Sequence, residues 1–249
     1  MYDIIIIGSG PAGLSAAIYA QRACLDTIVI EKNGISGGQV LNTWEVDNYP
    51  GFPGVTGFEL SRQFREHANK LGARVVQDEV VQVELSGNVK KVVCEEETYE
   101  ARCVILASGA HHRTLEVPGE EELRGAKRLQ ERLQALENIE FVWNSETVAI
   151  EGKAQVEALR LRQTKTGEEK RLDVDGVFIA VGIAPESELY AGQLELDEQG
   201  YIRADESGQT SVPGVFAAGD VRTKALRQIL TAASDGANCV ASAERYLQA

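Results

Sequence analysis

The chain has 249 residues, with 38 acidic and 25 basic side chains and a net charge of −13 at neutral pH. This length allows one large domain or two small ones with a substantial buried core. The strong negative charge argues against nucleic acid or an anionic membrane as a partner. The sequence shows no apolar run long enough for a membrane span and no cleavable signal at its N-terminus, so we expect a cytoplasmic protein.

Short apolar strands alternate with helical patterns, which predicts an α/β fold. A strand at 3–7 leads into an alanine-rich helix at 11–24, and a second strand follows at 27–31. Near the other end of the chain, the pattern predicts a strand at 214–218 and a long helix from Leu226 to Leu247.

A pattern of an amphipathic helix, a charged hairpin and an apolar run occurs twice, but a glycine-rich loop precedes only the first copy. The first copy starts with an amphipathic helix at Leu60 and ends in the apolar run 104–109, whereas the second starts at Leu129 and ends at 177–182. Internal repeats of this kind indicate duplicated structural units.

A linker at about 116–126 and a turn near 183–185 separate the second copy from the rest. We therefore expect a discontinuous domain, 1–115 plus 184–249, interrupted by a small α/β insert at 116–183. The insert has predicted strands at 140–150 and 176–182, and an apolar strand edge left uncovered would promote association. It is expected either to pair with its own hairpin as a small sheet or to contribute to a dimer contact.

The first strand is followed by the pattern Gly8-x-Gly10-x-x-Gly13, which is typical of dinucleotide-binding folds. Gly8 permits a tight turn, Gly10 allows a pyrophosphate to approach the backbone, and Gly13 lets the helix pack closely on the strand. Pro11 suits the first turn of that helix. Glu31 ends the next strand, where a carboxylate binds ribose hydroxyls and disfavours a 2′-phosphate, although Lys32 is adjacent.

A second signal, Gly219-Asp220, lies between an apolar strand and the last helix. In a doubly wound fold this places a carboxylate at the carboxyl edge of the sheet, where extended ligands bind. Such a carboxylate repels phosphate but accepts a hydrogen bond from a sugar-alcohol hydroxyl.

With these motifs the chain resembles the FAD domain of bacterial-type thioredoxin reductases, which are flavoprotein disulfide reductases. The matching segments run along the whole chain: Gly8–Gly13, Ser36–Gln39, Asn48–Gly51, Ala107–Ala110, Phe216–Asp220 and Arg227–Gly236. The resemblance implies a Rossmann-like, three-layer ββα domain that binds FAD and forms a homodimer.

The resemblance also implies roles for individual residues. Ala12 and its neighbours would contact the pyrophosphate, Val81 would meet adenine through its backbone, and Asp220 would bind the ribityl chain. Gln39 and Asn48 would lie near the flavin, although turn chemistry is an alternative for both. The full implied set is Gly8, Gly10, Pro11, Ala12, Gly13, Glu31, Lys32, Gly38, Gln39, Asn48, Val81, Ala107, Ser108, Gly109, Gly219, Asp220, Arg227, Gln228 and Ile229.

The inserted domain of that family carries a C-x-x-C pair, a second glycine fingerprint and a basic patch for NADPH, and none of these appears between Gly125 and Lys127. The four cysteines, Cys24, Cys94, Cys103 and Cys239, show no C-x-x-C spacing. Cys94 and Cys103 either face each other across a hairpin or are unrelated free thiols, and the second interpretation is favoured. No catalytic residue is assigned, because relaying electrons from flavin to a disulfide needs a dithiol.

Three functions follow as hypotheses. The leading one is a flavoprotein that lacks most of the nicotinamide half and so does not carry out ordinary NADPH-dependent thioredoxin reduction. The second is a flavin oxidoreductase that receives electrons from an external protein donor such as a ferredoxin. The third is a non-catalytic dimeric module in which FAD only stabilises the fold.

The sequence His111-His112-Arg113 invites a metal-site interpretation, which we do not favour. Adjacent side chains in an extended segment point apart, and no third ligand is evident. We expect a solvated loop here and no metal site.

Overall fold

The computed structural model describes residues 1–113, 127–180 and 182–249. The chain divides into two compact units, the first made of 1–111 and 183–249 and the second of 112–182. The predicted linker at 116–126 lies outside the described residues. The elements in chain order are β1 (Tyr2–Ile7), α1 (Pro11–Arg22), β2 (Thr27–Glu31), α2 (Gly57–Lys70), β3 (Arg74–Gln77), β4 (Val80–Glu84), β5 (Lys90–Cys94), β6 (Thr98–Leu106), β7 (Ala110–His112), α3 (Lys127–Gln134), β8 (Ser145–Gly152), β9 (Val156–Gln163), β10 (Glu169–Asp173), β11 (Ile183–Pro185), β12 (Val215–Ala217) and α4 (Ile229–Gln248).

The first unit is built on a sheet with the strand order β3-β2-β1-β6-β5-β4. The strands β3, β2, β1 and β6 are parallel, and β12 pairs in parallel with the second half of β6. The strands β4, β5 and the first half of β6 form an antiparallel meander. This topology is the Rossmann-like α/β fold that the sequence predicted.

The isoleucines of β1 show why this strand lies at the centre of the sheet. Successive side chains of a strand point to opposite faces. Ile4 and Ile6 belong to a core cluster with residues of α1 and α4, whereas Ile5 and Ile7 belong to a second cluster with the meander. A strand buried on both faces has an unbroken apolar run, as β1 does.

The helices α1 and α4 pack closely on one face of the sheet because small residues line their contact. A Cβ atom at Gly236 of α4 would overlap the carbonyl oxygen of Ala12 and approach the backbone nitrogen of Ala16 to 2.8 Å. Glycine at this position therefore sets the spacing of the two helices.

The second unit contains α3 and an antiparallel sheet with the order β10-β9-β8. The insert thus pairs with its own hairpin, which is one of the two predicted arrangements. The predicted strand at 140–150 begins at Ser145 instead and extends to Gly152. The strand predicted at 176–182 is wrong for the described residues, which include a fully exposed Phe178. A strand needs a hydrogen-bonded neighbour, and the described residues of 176–182 pair with none of β8, β9 and β10.

Two smaller differences have local causes. The helix predicted at 11–24 ends at Arg22, because Cys24 has a left-handed φ of 57°. The last helix begins at Ile229 rather than Leu226, because Gln228 caps it. None of the described helices has the length and apolarity that crossing a bilayer requires.

Candidate functional site

The three glycines of the fingerprint differ in what surrounds them. Gly8 has a φ of 100°, and a Cβ there would overlap the carbonyl oxygen of Ala107. A Cβ at Gly13 would overlap the carbonyl oxygen of Gly8. At Gly10, by contrast, the nearest atom to an added Cβ is the carbonyl oxygen of Gly37, 4.0 Å away. The fold itself requires Gly8 and Gly13, whereas Gly10 faces open space.

The open space at Gly10 lies at the start of α1. Gly10 is the N-cap and Pro11 the first residue of this helix, and no side chain caps the helix. The positive end of the helix dipole favours an anion at such a position. A Cβ at Gly219 would come 3.0 Å from that of Ala12, so the turn Gly219–Val221 lies against the same end of the helix.

Glu31 ends β2, buried between two polar neighbours. Its Oε2 accepts hydrogen bonds from the backbone nitrogen of Ser9 at 2.9 Å and from Ser9 Oγ at 2.7 Å. Its Oε1 accepts from the backbone nitrogen and Nδ2 of Asn33 at 2.9 and 3.0 Å. A carboxylate has about four acceptor positions, so a ribose hydroxyl would take the place of one of these side-chain donors. Lys32 is exposed.

Asp220 and Arg227 each have a buried polar atom with no hydrogen-bond partner in the described part of the chain, Asp220 Oδ1 and Arg227 Nε. Burial raises the pKa of Asp220, while Lys224 and Arg227 act in the opposite direction. The guanidinium of Arg227 lies 3.9 Å above the ring of Tyr201. Buried polar groups normally have hydrogen-bond partners. The two unpartnered atoms therefore indicate that a polar ligand binds here.

Asn48 and Gln228 join two distant segments. Asn48 Nδ2 donates to Gln228 Oε1 at 2.7 Å, and Gln228 is the N-cap of α4, directly before Ile229. The side-chain amide of Asn48 is therefore hydrogen-bonded to the residue that caps α4. Gln39 and Gly38 begin an exposed 3-10 turn, Gly38–Asn42.

The remaining predicted residues have more varied surroundings. The β4–β5 ladder is irregular between Val80 and Gln82, which leaves Val81 without a cross-strand partner. Ala107 is buried beside Gly8. Ser108 Oγ donates to the carbonyl oxygen of Glu186 at 2.7 Å, and the carbonyl of Gly109 accepts from the backbone nitrogen of Glu186.

Sequence reasoning missed four polar side chains around the candidate site. Ser9 and Asn33 donate hydrogen bonds to Glu31, and Lys224 forms a buried ion pair with Asp235. Asp235 had a recognisable signal, since it is a lone acid in the small-residue stretch Ala232–Gly236 of a buried helix. A buried carboxylate needs charged or polar partners.

The segment predicted as a solvated loop at His111 and His112 is instead the short strand β7, which pairs with β11. Pairing with Ile183–Pro185 satisfies backbone groups that a loop would leave to water. His111 Nδ1 lies 3.0 Å from Glu186 Oε1. Within the described ranges, no three metal-binding side chains come together.

The cysteines are all free. Cys94 and Cys103 belong to different core clusters and so do not face each other. Burial raises the thiol pKa to about 12 for Cys94, Cys103 and Cys239. The thiolate is the reactive form, so these three side chains are inert near neutral pH.

Comparisons with known proteins agree on one family. Residues 2–129 and 124–236 match the model of the pyridine nucleotide-disulphide oxidoreductases. The chain is 42% identical to a thioredoxin reductase of Mycolicibacterium smegmatis, over 99% of this chain and 97% of the relative. A solved thioredoxin reductase of Lactococcus lactis superposes with a TM-score of 0.95 at 32% identity, covering 100% and 99% of the two chains. A solved ferredoxin-flavin thioredoxin reductase of Clostridium acetobutylicum gives 0.66 at 26% identity, covering 100% and 99%.

The prediction that most of the nicotinamide half is missing is not confirmed by these matches, which extend over nearly the whole of each relative. The alignment with the mycobacterial relative spans 302 positions, however, and this chain has 249 residues. It must therefore contain gaps on the side of this chain.

Thioredoxin reductases of this family are FAD-binding flavoproteins. The described residues fit that cofactor at three points. Gly10 leaves room for a phosphate at the start of α1, Glu31 offers a carboxylate at the end of β2, and Asp220 has a buried oxygen without a partner.

Proposed function

Because the chain belongs to the pyridine nucleotide-disulphide oxidoreductase family, we propose that it is an FAD-binding flavoprotein that does not perform ordinary NADPH-driven thioredoxin reduction. The observation that carries the FAD site is the open space at Gly10 beside the unpartnered oxygen of Asp220. Bound FAD would supply two-electron redox chemistry. The chain's own residues bind and orient it, with Glu31 toward ribose and Asp220 toward the ribityl hydroxyls.

The second part of the proposal rests on the thiols and the insert. Reducing a protein disulfide requires a pair of reactive thiols, and no two cysteines of this chain are three residues apart. The described part of the insert is an antiparallel sheet with one helix, rather than a parallel sheet behind a glycine fingerprint. We therefore propose that the chain lacks both the redox disulfide and the NADPH site.

An anaerobic absorbance titration tests both parts. We expect yellow protein, either as purified or after incubation with FAD, whose flavin absorbance persists when NADPH is added. Protein that stays colourless with FAD would contradict the cofactor proposal. Rapid bleaching by NADPH would contradict the missing nicotinamide site.

Replacing Gly10 with alanine should separate cofactor binding from folding. The added methyl group meets nothing closer than 4.0 Å in the protein, so the melting temperature of the cofactor-free protein should hardly change. The methyl group would occupy the space proposed for the pyrophosphate, and FAD affinity should fall about tenfold or more, or at least ~1.4 kcal/mol. Fluorescence titration with FAD measures this. Unchanged affinity would show that the pyrophosphate binds elsewhere.

A protein electron donor is the second candidate function. The similarity to a ferredoxin-flavin thioredoxin reductase favours it. The net charge of −13 is compatible with a basic donor but does not require one. Adding a reduced ferredoxin to the same anaerobic protein should bleach the flavin within seconds. Flavin that no donor reduces would favour a non-catalytic role for FAD.

We further propose that the protein works in the cytoplasm as a homodimer. The four free cysteines fit a reducing compartment, and full-length relatedness to the thioredoxin reductases supports the dimer. Light scattering at the mass of a single chain would contradict the dimer.

A further inference from the structure

The carboxylate of Asp235 binds three residues of one loop in the C-terminal region. It lies on α4 and accepts four hydrogen bonds. Its Oδ2 accepts from the backbone nitrogen of Gly219 at 2.9 Å, from Arg222 Nε at 3.0 Å and from Lys224 Nζ at 2.7 Å. Its Oδ1 accepts from Arg222 Nη2 at 2.8 Å. The loop 219–224, which contains Asp220, is thereby fixed to the helix.

This cluster of Arg222, Lys224 and Asp235 is buried and carries a surplus positive charge. The three side chains are 2%, 4% and 5% exposed. Two cations share one carboxylate. Among the described residues, the other acid within ion-pair distance of Arg222 is Glu206 at 3.5 Å, which is 90% exposed and largely screened by solvent. Within the cluster itself, one positive charge is therefore not balanced by the Asp235 carboxylate.

This positive charge can stabilise the ionised form of Asp220, which lies in the same loop. Its Oδ1 is buried and has no partner among the described residues. The charged groups that act on it are Lys224 and Arg227, which favour its ionised form, and Asp235, which opposes it. Arg227 is held over the ring of Tyr201, while Lys224 is held by Asp235.

We propose that Asp235 is a positioning residue that fixes the Lys224 ammonium near Asp220, and that the surplus charge keeps Asp220 an ionised acceptor for a polyol hydroxyl. The polyol is the ribityl chain if the proposed function is right, so the choice of ligand rests on that function. The electrostatic part does not depend on that function. Lys224 therefore controls the pH range over which the cofactor stays bound.

The expected pH dependence follows from the charge of the acceptor. A protonated carboxyl loses the charge-assisted hydrogen bond to a hydroxyl donor. Affinity therefore falls as the pH drops through the pKa of Asp220. Burial already raises that pKa, and removing the Lys224 charge raises it further, which moves the loss of affinity to higher pH.

FAD affinity of the full-length Lys224→Met variant, measured by flavin fluorescence between pH 5 and pH 8, tests the proposal. We expect near wild-type affinity at the alkaline end of this range and progressively weaker binding than wild type as the pH falls, with a limit of about tenfold for a pKa rise of about one unit. Lys224→Arg, which keeps the charge, should restore the wild-type profile, and Lys153→Met, at an exposed hairpin, should match it. In an Asp220→Asn background, Lys224→Met should not change the pH profile.

A loss of affinity that is equal at every pH would overturn the proposal, since it indicates only a structural role for Lys224. The carboxyl ¹³C shift of Asp220, followed by NMR in the cofactor-free full-length protein, gives a test that does not need FAD. The expected result is a higher pKa in Lys224→Met than in wild type, and identical titrations would overturn the inference. Protein that never binds FAD contradicts only the proposed function, because the NMR titration still decides this one.

Discussion

Replacing Asp235 with alanine is expected to lower the free energy of unfolding by about 3–5 kcal/mol, because it leaves two buried cations without their counterion. Arg222 and Lys224 both bond to this carboxylate, and the backbone nitrogen of Gly219 loses its acceptor as well. Urea unfolding of the cofactor-free protein measures the loss. Glu206→Ala removes the exposed partner of Arg222 and should have no measurable effect.

The loss of unfolding free energy in Asp235→Ala should depend on pH in a defined direction. Burial raises the pKa of Asp235, but hydrogen bonds from Arg222, Lys224 and Gly219 outweigh it, so the pKa is lowered. Such a carboxylate stabilises the fold fully above its unfolded pKa of about 3.9 and progressively less as the pH falls through its folded value. The difference between wild type and Asp235→Ala should therefore be constant near neutral pH and shrink below about pH 4. A difference under about 1 kcal/mol at pH 7 would mean that the cations reach solvent.

Gly236→Ala is expected to destabilise the protein by about 3 kcal/mol, because it forces α1 and α4 apart. The new methyl group would overlap the Ala12 carbonyl, which is rigid helix backbone rather than a flexible side-chain end. Moving α1 also disturbs the turn at Gly10. Thermal unfolding should show a melting temperature several degrees lower, and FAD binding should weaken with it.

Gly34→Ala is the matched control for that change. An added Cβ at Gly34 would come no closer than 3.8 Å to any atom, the nearest being the end of the Gln77 side chain. Such a substitution usually has a small or slightly stabilising effect, about 0.4–1 kcal/mol, through the unfolded chain. A wild-type melting temperature for Gly236→Ala would show that the two helices can separate without cost.

The sequence predicts the parts of this fold whose local pattern and tertiary surroundings agree. The run Ile4–Ile7 before a glycine turn is a strand in any buried parallel sheet, and the structure places it at the centre. The apolar run at 177–182 looks equally strand-like, yet its described residues pair with no strand of the insert. Periodicity reveals what a segment can bury, but it does not reveal whether a partner exists.

The residues of the candidate site also divide into those that the sequence makes recognisable and those that it does not. Glycines required by steric contact, such as Gly8 and Gly13, follow a fixed spacing and are recognisable in the sequence. The supporting contacts join residues far apart in the chain, as between Asn48 and Gln228 or between Glu31 and Ser9. No spacing rule links such pairs, because tertiary folding alone brings them together.

The position of β12 also bears on how the protein forms during synthesis. The second half of β6, Val104–Leu106, has β12 as its neighbour on one side, and the ribosome makes β12 only after the entire insert. Until Val215–Ala217 has emerged, the nascent chain has an apolar strand edge that nothing covers. The second unit, by contrast, pairs its strands among residues made consecutively. Nascent chains stalled before residue 215 should therefore contain a folded insert within an incomplete first unit.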